Sequence, residues 1–248
     1  TELSDALVAL DLDTGAIKWH FQALEGDAWN VDCVTPDPDN CPEDAGPDYD
    51  FGAIPVLATD EDGRDYILAG QKSGIAWAVD AETGKLIWKR QVGRGGMAGG
   101  VHFGLAEDSG RVYVAISVER PFPATPGIHA LDLKTGEELW YTPPPENVCE
   151  GRPLCIPGNS GAFTVTPELV LAGGDDGYVR ALDAETGKQL WIFDTVQDVP
   201  TVNGVPAKGG AMSGGAAPIV DHGQVIVSSG YGFVSKIPGN VLMVFEPE

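Results

Sequence analysis

One short phrase occurs four times in this chain of 248 residues and constrains its fold more than any other feature. Each copy is an apolar run followed by Asp-X-X-Thr-Gly and then a Trp; the copies span 8–19, 77–88, 129–140 and 180–191. A fifth, degraded copy at 241–246 lacks both the turn and the Trp. Repeats of this size are typical of arrays of small stacked units, so a fold around one central core is not expected.

Each interval between successive Trp residues contains four β-prone runs. In the first interval these runs are Phe51–Ala58, Asp65–Gly70, Ile75–Asp80 and Leu86–Val92. The 33 Gly and 19 Pro of the chain also favour many short strands and turns. Four strands per unit of about 50 residues predict an all-β propeller of four-stranded antiparallel blades.

The position of the phrase within each unit also predicts where the blades begin and end. The chain enters in the third strand of one blade and stops in the third strand of a fifth, which predicts a partial ring of three whole and two incomplete blades. We expect the second half of a longer propeller, with an unpaired blade face exposed. The predicted single domain covers 1–248, with whole blades at about 51–92, 100–142 and 160–194 and incomplete ones at 1–22 and 209–248.

The repeated residues themselves predict structural roles. Asp and Thr hydrogen-bond the local backbone, and Gly adopts the left-handed conformation that the turn requires. The Trp is expected to dock against the neighbouring blade. None of the repeated residues is a catalytic candidate, and these are Asp11, Asp80, Asp132 and Asp183 with Trp19, Trp88, Trp140 and Trp191.

The charge and hydropathy of the chain exclude two classes of partner. The net charge is −22, from 37 acidic and 15 basic residues, which disfavours nucleic acid. An acidic surface can steer a basic electron carrier, and it equally suits a solvated coat. No apolar run reaches the 18 residues of a membrane span. The chain starts at Thr1 without a leader, so either a leader has been removed or the chain is a piece of a longer one.

The four cysteines form two close pairs in polar, proline-containing loops. They are Cys33 with Cys41 and Cys149 with Cys155. Neither pair has the CxxC spacing of a zinc site, and no His lies close by. Two disulfides are therefore the favoured interpretation, and they indicate an oxidising compartment, either periplasmic or extracellular.

The segments between the repeats carry a more specific resemblance. They include Gly-Asp-Ala-Trp-Asn at 26–30 and the stretches 48–55, 69–74, 202–212 and 238–242. Together with the blade phrase, they resemble the pyrroloquinoline quinone (PQQ) dependent alcohol dehydrogenases, in their polyvinyl-alcohol-dehydrogenase-like branch. The resemblance covers essentially the whole chain and corresponds to the C-terminal half of an eight-bladed catalytic propeller.

The resemblance implies a catalytic loop before the first whole blade. A Trp–Asp pair supplies the general base in that family, and the matching pair here is Trp29–Asn30. An amide does not usefully accept a proton, so Asp27 is the substitute base that we predict. Trp29 is predicted to contact the cofactor, whereas Asn30, also a candidate catalytic residue, and Asp32 are the candidate ligands of Ca²⁺ or a lanthanide. Turn or capping roles are the alternative for all of them.

A cation near the quinone oxygens is the second feature that the resemblance implies. Lys72, in Gln-Lys-Ser-Gly, matches that position and would stabilise negative charge developing on the quinone. The alternative is an exposed Lys in a hairpin turn. Strands of a blade alternate in direction, so the loop that enters a blade and the loop between its second and third strands share one face. Asp27, Trp29 and Asn30 can therefore converge with Lys72.

Two further sets of residues remain open at this point. The acids of the 22–50 loop lack EF-hand spacing but are possible calcium ligands: Asp37, Asp39, Glu43, Asp44, Asp48 and Asp50. Among the histidines, His129 occupies a small-residue position of the repeat and is expected to pack within or between blades. His102 begins a blade's inner strand and is a candidate for facing the central channel.

The sequence thus predicts a periplasmic or secreted oxidoreductase that uses PQQ to oxidise a secondary or polymeric alcohol. A cytochrome c is a possible electron acceptor. The isolated 248 residues are expected to be inactive, because the family's remaining metal ligands and aromatic cofactor platform would lie upstream. The alternative is a non-catalytic propeller that serves as a periplasmic binding or assembly scaffold.

Overall fold

The computed structural model describes residues 2–118, 125–230 and 235–246, and over these ranges the regular structure is 19 β-strands with one 3₁₀ turn at Val31–Val34. The strands are β1 (Ala6–Leu10), β2 (Ile17–Gln22), β3 (Val56–Thr59), β4 (Asp65–Gly70), β5 (Ile75–Asp80), β6 (Leu86–Gln91), β7 (Leu105–Asp108), β8 (Arg111–Ile116), β9 (Gly127–Asp132), β10 (Glu138–Thr142), β11 (Phe163–Val165), β12 (Leu169–Gly173), β13 (Tyr178–Asp183), β14 (Gln189–Asp194), β15 (Asp198–Val199), β16 (Ala207–Lys208), β17 (Ile219–Asp221), β18 (Gln224–Ser229) and β19 (Val241–Phe245).

The strands form consecutive antiparallel meanders, each of which is one blade. Three sheets have four strands, in the orders β3-β4-β5-β6, β7-β8-β9-β10 and β11-β12-β13-β14. The pair β1-β2 precedes them and the three-stranded sheet β17-β18-β19 follows them. The predicted partial propeller of three whole and two incomplete blades is therefore confirmed. A small hairpin, β15-β16, which the sequence did not predict, decorates the loop between the last two blades.

The first strand of each whole blade lies on the inner side of the open arc, since β7 contacts both β3 and β11. The first of these inner strands starts later than predicted: β3 begins at Val56 instead of Phe51. Pro55 has no N–H for the ladder. Gly52 packs against the next blade, where an added Cβ would lie 2.2 Å from the carbonyl oxygen of His102. The segment before Val56 is therefore held by its neighbour instead of by its own sheet.

The tryptophans of the first three repeats dock on the turn of the following blade, as predicted, whereas Trp191 packs edge-on against Phe245 of the incomplete last blade. Trp19 donates its indole N–H to the carbonyl of Ala81 at 3.1 Å. Its ring covers Gly84, where an added Cβ would lie 2.5 Å from a ring carbon and where φ is +69°. Only glycine satisfies both constraints. The same arrangement joins Trp88 to Leu133 and Gly136, and Trp140 to Ala184 and Gly187.

The aspartate of each repeat is used by its own turn. Asp11 Oδ1 accepts hydrogen bonds from the backbone N–H and the hydroxyl of Thr14, at 2.9 and 2.7 Å. The side-chain bond from Thr14 is the main cause that lowers the pKa of Asp11, and the backbone bond adds to it. The same pairs recur at Asp80–Thr83, Asp132–Thr135 and Asp183–Thr186. The structural interpretation of the repeat is confirmed.

The apolar core lies between successive blades instead of at one centre. Leu68 and Val114 are fully buried in the cluster that joins the first two whole blades, whereas Tyr113 and Leu182 belong to the cluster that joins the second and third. His129 is also buried, bonded to Glu138 and stacked on Tyr141, as expected for a packing residue. Burial between blades is what an array of small sheets requires, because no blade covers its own faces.

Candidate active site

The loop between β2 and β3 closes on itself at its base. The N–H of Ala28 donates to the carbonyl of Ala45 at 2.7 Å. Asp27, only 7% exposed, accepts the backbone N–H groups of Trp29 and Tyr49 at 3.2 and 2.9 Å. Residues 29–44 therefore project from a closed loop base as an excursion. Asp27 holds the returning segment of the loop, residues 45–50, in place.

The excursion is stabilised by its own polar side chains. Asn30 Oδ1 accepts the N–H of Asp32 at 2.9 Å, and its amide donates to the carbonyl of Asn40 at 3.1 Å. Asp32 accepts the N–H of Asn40 at 2.7 Å and the hydroxyl of Thr35 at 3.1 Å. These bonds, led by the one from Asn40, lower the pKa of Asp32. The side chains of Asn30 and Asp32 thus serve the fold of this loop.

Both predicted disulfides are present. Cys33–Cys41 closes the excursion, with 4.8 Å between the Cα atoms, and Cys149–Cys155 closes the loop before the third whole blade, at 5.3 Å. Each bridge spans a short segment, with separations of 8 and 6 residues. They therefore stabilise two loops of one face locally and leave the blades unlinked.

The returning segment of the loop, residues 45–50, brings two carboxylates to Lys72. The Lys72 ammonium donates to Asp50 Oδ2 at 2.7 Å and to Asp48 Oδ2 at 3.1 Å, and the Lys72 backbone N–H donates to the carbonyl of Asp50 at 3.0 Å. The side chains of Asp48 and Lys72 are 6% and 12% exposed, but that of Asp50 is 60% exposed. The entering loop and the β4–β5 turn therefore meet on one face, with Asp50 as the solvent-facing carboxylate.

The two carboxylates differ in their electrostatics. Burial works to raise the pKa of Asp50, but the hydrogen bond and charge of Lys72 outweigh it, so this pKa lies below its usual value. Burial raises the pKa of Asp48 to about 6, although Lys72 acts in the opposite direction. Burial alone would lower the pKa of Lys72, but its bonds to Asp50 and then Asp48 raise it. At pH 7 the pair Asp50–Lys72 is an ionised carboxylate beside an ammonium.

A second group of polar residues lies farther along the same face. His102 Nδ1 is 3.0 Å from the hydroxyl of Ser160. Burial lowers the pKa of His102 to about 4, and the charges of Lys72 and Lys236 act in the same direction, so the ring is neutral at pH 7. Lys236 donates to the fully buried Asp175 at 2.7 Å. That His102 faces the central channel stays a prediction.

The residues present fit a quinone better than a metal ion. A Lys ammonium has three donors and Lys72 spends two on Asp48 and Asp50, so one remains for a carbonyl or carboxylate oxygen. Across the described ranges, no group of three or more His, Cys, Asp or Glu is placed to hold a metal ion. This statement includes the acidic residues of the 22–50 loop. Asn30 and Asp32 do not make a metal site by themselves.

Sequence reasoning therefore found Lys72 but underrated its partner. Asp50 follows an aromatic residue, Tyr49, and so forms an aromatic–aspartate pair within the stretch 48–55. The disulfide-closed excursion separates this pair from Asp27 and Trp29, and the assignment of the base to Asp27 stays a prediction. The signal that was available is the place of this pair in the matched stretch 48–55, six residues before β3 begins at Val56.

No helix in the described part of the chain is long and apolar enough to cross a membrane.

Comparisons with known proteins place the chain among PQQ-type propellers. A family model described as "Outer membrane protein assembly factor BamB" matches residues 71–243, and one described as "Glucose/ethanol/alcohol dehydrogenase, beta-propeller domain" matches residues 1–38. In fold, the crystal structure of BamB from Moraxella catarrhalis is similar, with a TM-score of 0.52 at 18% identity, covering 94% of this chain and 50% of that one. That likeness concerns the architecture alone.

Curated relatives are closer in sequence. The polyvinylalcohol dehydrogenase of a Pseudomonas species is 41% identical over 98% of this chain, and that of Sphingopyxis sp. strain 113P3 is 38% identical over 98%. In both cases the chain spans 40% of the relative's length. The repeats, the blades, the family models and these identities agree, and the chain belongs to the quinoprotein alcohol dehydrogenase family of β-propellers, in the branch that contains the polyvinylalcohol dehydrogenases.

Proposed function

We propose that the protein carrying this chain oxidises an alcohol to the carbonyl compound with PQQ as the cofactor. The observation that carries the proposal is the Asp50–Lys72 pair, a solvent-facing carboxylate 2.7 Å from an ammonium. The pair lies on the face of the propeller that carries the 22–50 loop and the β4–β5 turn, which we call the loop face. The relatives at 41% and 38% identity, both polyvinylalcohol dehydrogenases, support it. Because the chain spans 40% of their length, the activity is proposed for the whole protein.

The chemistry divides between the cofactor and the chain. PQQ, when bound, would supply the acceptor for the two electrons that leave the alcohol carbon with its hydrogen. Asp50 takes the hydroxyl proton, since it is ionised at neutral pH and open to solvent. Lys72 places a positive charge where negative charge develops and holds the Asp50 carboxylate in position. Asp27 acts indirectly, because its bond to the Tyr49 N–H positions the segment that carries Asp50.

The substrate class, partner and location belong to the same proposal. A secondary or polymeric alcohol resembling polyvinyl alcohol is the substrate that the names of both relatives support. A cytochrome c is a suitable electron acceptor, since the charge of −22 attracts a basic carrier. The two disulfides support a periplasmic or secreted protein. A Ca²⁺ or lanthanide ion is proposed for the whole protein only, and no step here uses it.

The test compares the two candidate bases. Asp50→Asn should lower kcat for quinone-dependent dye reduction by about 10²–10⁴-fold, the usual contribution of a general base. Asp27→Asn should mainly lower thermal stability, since the Asp27 carboxylate accepts two backbone N–H groups. A full loss of activity in Asp27→Asn with wild-type activity in Asp50→Asn would assign the base to Asp27 instead.

One observation favours a second candidate, a non-catalytic scaffold. The family model described as an outer membrane assembly factor covers residues 71–243, more of the chain than the dehydrogenase model does. Titration of the folded gene product with PQQ and Ca²⁺ or La³⁺, followed by cofactor absorbance and thermal shift, separates the two. If no PQQ binds, the scaffold is the correct assignment.

A further inference from the structure

A groove opens beside the first whole blade, apart from the candidate active site. Its volume is about 760 Å³, within the range of small-molecule sites. Side chains of β5 and β6 form its floor, and loop segments that include 23–24 and 93–95 form its rim. Neither Asp50 nor Lys72 is among the described residues that line it. The groove is therefore a second cavity, which the proposed reaction does not use.

The groove carries positive charge in a strongly acidic protein. The chain has 37 acidic and 15 basic residues, yet the described lining contains Lys89 and Arg94 and no Asp or Glu. Both cations are exposed, and within the described ranges neither forms an ion pair, whereas Arg152 and Lys236 each bond a carboxylate. An anion in this groove therefore meets two charges that no neighbouring carboxylate compensates.

The groove wall also contains a buried donor without an acceptor. Gln71 is 2% exposed, and in the described part of the chain its Nε2 has no hydrogen-bond partner. Its Oε1 accepts the hydroxyl of Ser73 at 2.6 Å and the indole N–H of Trp77 at 3.3 Å, which orients the amide. The Gln91 amide is already used, since it donates to the carbonyls of Ser73 and Gly93. Buried donors are nearly always paired, so the Gln71 amide points to an acceptor on a bound molecule.

The floor of the groove adds apolar surface beside these polar groups. Trp77 pairs with Lys89 across the β5–β6 ladder, and the Lys89 ammonium lies 5.4 Å from the centre of the indole ring. Leu24, Ile75 and Val92 add hydrocarbon to the lining. An inorganic anion would leave this surface in contact with water, whereas an organic body would cover it.

We infer that this groove is a binding site for a small organic carboxylate that is neither the alcohol nor the cofactor of the proposed reaction. Its carboxylate group is bound at Lys89 and Arg94, and its hydrocarbon or aromatic body lies on the apolar floor beside Trp77. An acceptor atom of the ligand takes the Nε2 hydrogen of Gln71. Neither an inorganic anion nor a neutral molecule of the same shape satisfies both the charge and the apolar surface.

The test measures binding by calorimetry on the full-length gene product, with 1-naphthoate as the probe and 1-naphthamide as its neutral counterpart. Naphthoate should bind about 10-fold more tightly than naphthamide, because only the carboxylate forms charge-assisted bonds to both cations. The double variant Lys89→Gln/Arg94→Gln should weaken naphthoate binding about 10-fold and leave naphthamide binding unchanged. The matched control is Lys85→Gln/Arg90→Gln, which removes the same charge from exposed residues outside the groove lining and should bind naphthoate as wild type does.

Four results would overturn the inference. Equal naphthoate affinity in wild type and in the Lys89/Arg94 variant would show that the cations do not bind the carboxylate. Equal affinity of wild type for naphthoate and naphthamide would show that the groove does not select anions. Sulfate that binds as tightly as naphthoate would assign the groove to inorganic anions. Displacement of naphthoate by added PQQ would place the probe in the cofactor site. Binding requires no turnover, so each result has the same meaning in a protein that oxidises no alcohol.

Discussion

The two faces of this propeller use the same residue types in opposite ways. The turn face is the one that carries the repeated Asp-X-X-Thr-Gly turns. Each repeated aspartate there bonds within its own turn, and the pKa of Asp11 is lowered mainly by Thr14. On the loop face, Asp48 and Asp5 are crowded and partly buried, and burial is the main cause that raises the pKa of each to about 6. The repeated carboxylates of the turn face are satisfied within their own turns, whereas Asp48 and Asp50 of the loop face depend on Lys72.

This difference teaches where chemistry can occur on a repeat fold. A turn that satisfies its own polar groups can be copied in every blade without any help from a neighbour. A site needs groups whose partners come from elsewhere, so it forms where dissimilar loops meet. Repetition therefore marks the structural face of this protein, and the proposed active site lies where the loops depart from repetition.

Among the variants that compare the two faces, the largest effect is expected for Lys72. Lys72→Met should lower kcat of quinone-dependent alcohol oxidation by about 10²–10³-fold, the usual cost of removing one charge-stabilising donor. The control is Lys85→Met in the β5–β6 turn, an exposed lysine of the turn face that should retain activity. Steady-state kinetics with a dye acceptor measure both. Equal losses in the two variants would mean that the faces do not differ in this way.

An effect on stability is expected when the interblade docking is removed. Trp88 is 8% exposed and donates to the carbonyl of Leu133 at 2.8 Å, so Trp88→Ala should cost about 3–5 kcal/mol of unfolding free energy. Trp88→Phe keeps a ring and loses only the hydrogen bond, about 1 kcal/mol. Urea denaturation measures both. A large loss of kcat in folded Trp88→Phe would contradict the structural role of the turn face.

The smallest effect is a difference of sign between two aspartates. The pKa of Asp5 is raised to about 6, by burial first and then by Asp27, Asp50 and Asp48, so the stability it contributes is lost as pH rises from about 4 through 6. Asp5→Asn should therefore become more stable than wild type as pH rises through that range.

The pKa of Asp11 is lowered, so its contribution is present at neutral pH and is lost as pH falls through the lowered value. Asp11→Asn should accordingly be less stable than wild type at pH 7, with the gap closing in acid. Urea midpoints measured from pH 7 down to below 3.8, the ordinary pKa of an aspartate, give both curves. The same sign for both variants would show that the two faces do not differ electrostatically.

Much of this architecture was predictable from local signals. Thr-Gly turns and Trp residues at a repeated spacing gave the blades, their phase and the docking of Trp88, because these depend on residues near in sequence and on copies of one unit. The start of β3 was placed too early, since the backbone of His102 in another blade decides it. Lys72 was singled out through the resemblance. Its bonds to Asp48 and Asp50 could not be predicted, because they depend on where the returning segment of the 22–50 loop lies in space.

The sequence by itself determined the propeller, its blade phase and the two disulfides. It also determined the role of the repeated Asp residues and the docking of the first three repeated Trp residues, since each rests on short-range pairing or on repetition. Only the tertiary structure decided which carboxylate lies at Lys72. The disulfide-closed segment 29–44 separates Asp27 from Asp50 in sequence, so no sequence pattern shows which of them lies near Lys72. In the structure, the closed base of the loop places Asp50 against the β4–β5 turn. The physical reason is that Asp50 and Lys72 lie on two different loops that meet only in the folded chain. No residue near Lys72 in sequence indicates that contact.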